Sequence, residues 1–254
     1  MVEPDAPYRS ALRWLFSDLV ARAAAGVVPA GAAERAAALG YTLTEQEDRV
    51  LLAPSGADPR AIGICAVRLG GGVAPVVLEA PHTWSDLHTG ELAARLFDEG
   101  LGRVACFGTA RRQDTADGGG IDLAHSPSSA FQAATIGTVE ALPDPLVVQL
   151  HGFGAGHGSF AAVLSAGSAL QPARLVERAV ARLDPLFSPL GPVVDAAFVP
   201  ALAGERNVQG WACGGRARFL HLELSLPVRQ HLRDDGELRA GLRAALAALA
   251  EAPR

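Results

Sequence analysis

"VVLEAPHTWSDLHTGELAARLF", residues 76–97, joins three unlike pieces. An apolar run, Val76-Val77-Leu78, ends at Pro81-His82. A polar cluster of His82, Asp86, His88 and Glu91 follows. From residue 89 the Ala, Leu and Phe residues take helical spacing. A short apolar run bounded by turn residues reads as a buried strand, and the 3.6-residue pattern after it reads as a helix. Strand, polar turn, helix is the repeating unit of an α/β protein.

The unit recurs on either side. "RVLLAP", "AIGICAV", "PVVLEAPH", "GRVACFG", "PLVVQLHG", "AAVLSAG", "PVVDAAFVP" and "RFLHLELSL" read as strands, and 89–99, 127–141, 171–186 and 235–251 as helices. Ahead of them, residues 8–24 place Leu12, Leu15, Phe16, Leu19, Val20 and Ala23 on one helical face and Arg13, Ser17, Asp18 and Arg22 on the other. A second, Ala-rich helix is expected at 31–39. The expected fold is α/β: a single domain with a mixed, largely parallel central sheet flanked by helices, plus N-terminal helices. Residues 1–45 are expected to form a helical segment docked on an α/β body of 46–254. Residues 111–127 and 201–216 are Gly-rich and polar and read as long loops, which in compact domains are often functional.

Composition narrows the chemistry. The 254 residues carry 22 basic and 27 acidic side chains, a net charge of −5, so no basic surface invites nucleic acid or an anionic membrane. All 22 basic residues are arginine. A phosphate-binding P-loop and a Schiff-base enzyme both need lysine, so both are excluded. Cys65, Cys106 and Cys213 are scattered and are expected to be reduced core residues. No apolar stretch reaches membrane-spanning length. Arg13, Asp18 and Arg22 interrupt the first apolar run, so a cytoplasmic protein is expected, unless the chain is the mature fragment of an exported one. Oligomeric state is not legible.

In open α/β sheets, ligands gather at the carboxyl ends of strands. His82 follows one strand and His151 ends another. With Asp86 they form a His, His, carboxylate set that leaves an open position, the pattern of a catalytic zinc site holding one ion. His88 and Glu91 offer an alternative pair, although Glu91 also suits the first turn of a helix. In "RFLHLELSL" alternation puts Phe219, His221, Glu223 and Ser225 on one face. That face is either solvated on an edge strand or functional, with Glu223 as general base over a metal-activated water. "HGFGAGHG" at 151–158 fails dinucleotide spacing, and its His157 reads as an exposed loop residue. Arg112, with Arg111 and Arg206 as alternatives, is suited to holding a substrate carboxylate. Asp122 and His125 precede a helix for which Ser126 or Ser128 is the expected cap.

"APHTWSDLHTGELAARLF", "VVQLHGF" and "FLHLELS" occur in the order used by zinc amidohydrolases of the carboxypeptidase-like, phosphorylase/hydrolase-type fold. Over residues 74–226 the chain resembles phage-type poly-γ-glutamate hydrolases and is similar in plan to N-formylglutamate amidohydrolases, which share the Pro-His strand end. The resemblance implies metal at His82, Asp86 and His151, with Glu223 as the catalytic carboxylate. Asp86 stands where the poly-γ-glutamate type has Glu, and the His-to-carboxylate spacing is one residue shorter. The expected activity is hydrolysis of an amide or peptide bond in a small substrate with a free carboxylate. A cell-wall amide hydrolase and a non-catalytic ligand-binding protein are the alternatives.

Overall fold

The computed structural model describes residues 3–111, 121–167 and 173–253. Its first helix, α1 (Ala6–Ala23), is capped by Asp5, whose side chain accepts from the Tyr8 amide. The apolar face read from the sequence, Leu12 to Ala23, is buried. After α2 (Ala32–Ala38) the chain runs through an antiparallel hairpin, β1 (Tyr41–Glu45) and β2 (Arg49–Pro54). Residues 41–45 were expected to belong with the N-terminal helices, but they form a strand of the main sheet. Tyr41 and Val50 fill the space under α1, and five polar-flanked residues are too few to show a period.

The remaining strands are β3 (Ile64–Arg68), β4 (Val76–Ala80), β5 (Val104–Phe107), β6 (Leu146–Phe153), β7 (Ala162–Ser165), β8 (Val193–Asp195) and β9 (Arg218–Ser225). Together they form a nine-stranded sheet ordered β1-β2-β3-β5-β4-β6-β9-β7-β8. β5, β4, β6 and β9 run parallel at its centre; β1, β2 and β3 flank them antiparallel on one side, and β7 runs antiparallel to β9 on the other. The α/β expectation holds, and β9 is an interior strand.

Each central strand buries both faces. Leu78, Val148, Leu220 and Leu222 face α3 (Thr89–Asp98), α5 (Ala173–Phe187), α7 (Leu226–Asp234) and α8 (Gly236–Glu251). Val77, Val147 and Phe219 face α1 and α4 (Ala130–Ala141). α1 and α4 approach closely at Gly137, where any Cβ would collide with the carbonyl oxygen of Arg13. No described helix is long and apolar enough to cross a membrane.

Local chemistry refines three readings. The cap of α4 is Ser129, whose Oγ accepts from the Gln132 amide, rather than Ser126 or Ser128. The loop expected at 201–216 contains a short helix, α6 (Val208–Ala212), capped by Asn207. Cys65 and Cys106, expected to be reduced, form a disulfide. They face each other in the antiparallel β3–β5 register with Cα atoms 4.2 Å apart, as close as the narrow pairs of antiparallel ladders. Their separation of 41 residues hid the pairing from spacing arguments.

Cys213 alone should then react with a thiol reagent in unreduced, unfolded protein, and all three cysteines after reduction. Cys65→Ser should lower the unfolding free energy by about 2–4 kcal/mol. Three thiols in a sample never exposed to reductant would remove the disulfide.

Candidate metal centre

Parallel strands present their carboxyl ends on one edge, and strand register sets which side chains meet there. Glu79 pairs with Gln149, Gln149 with His221, and His151 with Glu223. The five residues therefore share one face in two successive rows. Toward the strand starts this face is apolar, at Val77, Val147 and Phe219; toward the ends it is polar.

His82 lies just past β4 in a turn where the amides of Ser85 and Asp86 both donate to the His82 carbonyl, at 3.1 and 2.8 Å. That single turn sets Asp86 beside His82 and leads into α3. Asp86 Oδ2 lies 3.6 Å from His82 Nδ1 and 3.3 Å from His151 Nδ1, and it accepts from the Gly152 amide at 3.2 Å. The ligand atoms of His82, Asp86 and His151 all fall within 4.8 Å of one another, and all three residues are buried. Burial alone would raise the Asp86 carboxyl; hydrogen bonds and positive charge from His151 and His82, when those rings are protonated, outweigh it and hold the group well below the ordinary carboxylate range.

The outer hydrogen bonds fix how the imidazoles point. His82 Nε2 is 2.9 Å from Asp122 Oδ1, a carboxylate oxygen that accepts, so Nε2 carries the proton. Thr135 donates to Glu79 at 2.5 Å, and Gln149 Nε2 donates to the other Glu79 oxygen at 2.8 Å. The amide of Gln149 is thereby oriented with Oε1 toward His151 Nε2, 2.8 Å away, which must donate. In the neutral rings both Nδ1 lone pairs then face Asp86, and His82 Nδ1 is buried without a hydrogen-bond partner. Two imidazole lone pairs and a carboxylate oxygen repel unless a cation or proton joins them. The donor set fits a divalent metal of zinc type, with each histidine held through its far nitrogen.

Glu223 lies beside His151, and His221 Nε2 is 4.0 Å from Glu223 Oε1. The His151 and His221 rings are 4.5 Å apart, and His151, His221 and Glu223 form a second set of ligand atoms within 4.8 Å. Burial, then the neighbouring His151 and His82, push His221 well below the usual histidine range, so it is neutral. A cleft of about 380 Å³ opens over His82, His151, His221 and Glu223, with His125 and Arg206 also on its walls. Its 200–207 wall is anchored from below, because Asn207 donates to Gln149 Oε1.

The other expected residues fall elsewhere. Glu91 pairs with Arg95 at 2.8 Å on the α3 surface, and His88 lies against Glu91 and Arg233, so neither joins the donor set. Arg111 stacks over Trp84. Arg112 lies outside the described residues; among the described residues Arg206 is the arginine on the cleft wall. His157 is exposed. Asp122, whose role the sequence left open, bridges His82 and His125 at 2.9 Å each. Gln149 and His221 each lie two residues before a nominated site residue, and that period-two spacing was their only signal.

No protein-family model matches the sequence, and no curated protein matches it. Among solved structures, YNDL in a zinc-free apo form matches at a TM-score of 0.50, with 14% identity over 77% of this chain and 92% of that one. The two share a fold. N-formylglutamate amidohydrolase from Ralstonia eutropha matches at 0.49, with 14% identity over 75% and 97% of the two chains. A bacteriophage poly-γ-glutamate hydrolase matches at 0.44, with 13% identity over 77% and 91%. At 14% identity the likeness to the first of these is one of architecture, and it agrees with the mixed α/β plan expected from the sequence.

Burial pushes the Glu79 carboxyl up to about 7, against the weaker downward pull of the Thr135 and Gln149 hydrogen bonds. A carboxyl raised on folding adds stability that is full below its unfolded value near 4.5 and is lost as pH rises through about 7. Glu79→Gln stays neutral and keeps the shape. Relative to this variant, metal-free parent protein should lose about 3 kcal/mol between pH 4.5 and 8 in denaturant melts. Parallel pH profiles would show that Glu79 does not titrate there.

Proposed function

We propose that the chain is a zinc-dependent hydrolase of an amide or peptide bond in a small substrate bearing a free carboxylate. The observation that carries this reading is the convergence of His82 Nδ1, His151 Nδ1 and Asp86 Oδ2 beneath a cleft, with Glu223 alongside. The strand-end motifs resemble those of zinc amidohydrolases, and a protein described in a zinc-free form shares the fold. Both support zinc as the ion.

A zinc ion held there would polarise a carbonyl and lower the pKa of water. Glu223 takes the water proton and passes it to the leaving nitrogen, the ordinary work of a positioned carboxylate. Asp122 and Gln149 keep the two imidazoles in the tautomer that binds. His221, neutral and buried beside Glu223, adds no competing charge. Arg206 on the cleft wall is suited to a bidentate grip on a carboxylate, which selects and orients the substrate.

Protein purified without chelator should carry close to one zinc. His82→Ala and His151→Ala should lose it, and Asp86→Ala should weaken it far more than Glu91→Ala. Glu223→Gln should retain zinc while activity falls about 10²–10⁴-fold. Zinc loss in that variant would make Glu223 a ligand; near-normal turnover with zinc bound would end its role as base. Arg206→Ala should chiefly raise KM for a substrate with a free carboxylate and leave its amide-blocked analogue unaffected. An equal effect on both would remove carboxylate recognition at Arg206.

A further inference from the structure

Arg229 is a buried cation, 4% exposed, whose recorded hydrogen bonds all go to main-chain carbonyls. α7 begins where β9 ends, and Arg229 in its first turn reaches back under the candidate centre. Nε donates to Leu224 O at 3.1 Å and to Ser225 O at 3.4 Å, Nη2 to Phe153 O at 3.1 Å, and Nη1 to Leu87 O. Leu87 follows Asp86, Phe153 lies two residues after His151, and Leu224 follows Glu223. Three segments remote in sequence, each carrying a candidate site residue, thus end on one planar group.

We propose that Arg229 is a positioning residue that fixes the separation of these three segments and so sets the spacing of the donor atoms of the centre. The proposal rests on the metal-centre reading above. Burial disfavours the Arg229 charge and the nearby Asp86 and Glu223 carboxylates favour it, but its hydrogen bonds go to carbonyls, which a rigid fork of donors matches. An ammonium has no such fork. Gly152 makes the seat. A Cβ there would collide with Cζ and Nη1 of Arg229, and the same glycine's amide donates to Asp86 Oδ2. The backbone between His151 and Phe153 therefore touches Arg229 on one side and the donor set on the other.

The test compares parent, Arg229→Met, Arg229→Lys and Arg229→Ala, each checked for fold by circular dichroism. Zinc affinity is measured by competition with a chromogenic chelator. In metal-free protein, amide hydrogen exchange is followed at 83–88 and 152–158. Arg229→Met should bind zinc about 10–100-fold more weakly, the usual effect of losing a group that orients metal ligands. Exchange should quicken in both segments and not in β4 or in residues 146–151 of β6. Millimolar guanidinium, but not ammonium, should recover part of the zinc affinity of Arg229→Ala, a response that general loosening would not give. Unchanged zinc affinity in folded Arg229→Met overturns the proposal, even if exchange quickens. Should Arg229→Met not fold, Arg229→Lys decides: parent-like affinity overturns the proposal and a loss supports it. If the parent itself binds no zinc, the metal-centre reading fails on its own, and exchange alone judges the tie: quickening at both segments supports it, and no change overturns it.

Discussion

The pairing of β6 with β9 governs the rest of the molecule. His151 stands opposite Glu223 and Gln149 opposite His221 because the two strands run parallel in that one register. Side chains alternate along a strand, so a slip of a single residue would send one partner of each pair to the opposite face of the sheet. The leucines of β9 on the far face, locked among α5, α7 and α8, oppose such a slip. An apolar core on one side of the sheet thereby sets the polar geometry on the other.

That polar side is unusual for its depth. Glu79, Gln149, Thr135 and Gln209 are all buried. Unpaired polar groups at such depth are costly, so the layer is stable only as a connected network. Connection also conveys direction. Glu79 accepts from both Thr135 and Gln149; this dictates which end of the Gln149 amide meets His151, and that in turn dictates which ring nitrogen faces Asp86. The tautomer of an inner histidine is decided by a carboxyl that never touches it.

Most of the architecture was legible because its signals are periodic. The eight strands and four helices read after residue 48 are present, since long apolar runs and helical spacing survive any tertiary context. β1 and α7 were not read, the first because five residues carry no period, the second because it follows β9 without a linker and is half polar. At the site, His82, Asp86, His151 and Glu223 stood out as strand-end ionisable residues, and they are adjacent in space. What stayed hidden was everything supplied from a distance. Asp122 reaches His82 across 40 residues, Asn207 reaches Gln149 across 58, and Arg229 reaches Leu87 across 142. No local pattern marks such partners. The disulfide was missed for the same reason, since only the antiparallel pairing of β3 with β5 brings its sulfurs together.

The place of β9 also bears on how the chain folds. It is the last of the described strands in sequence, yet it lies between β6 and β7. Until residues 218–225 arrive, both of those strands present bare edges, and β7 with β8 has no attachment to the sheet. Closing a sheet around a late central strand demands contacts of long sequence separation, which slow folding. Open edges are the surfaces by which partly folded chains associate. Nascent chains of this protein should therefore be most vulnerable to aggregation in the interval between completion of β8 and insertion of β9, and the strand that brings Glu223 to the site is also the one that ends that exposure.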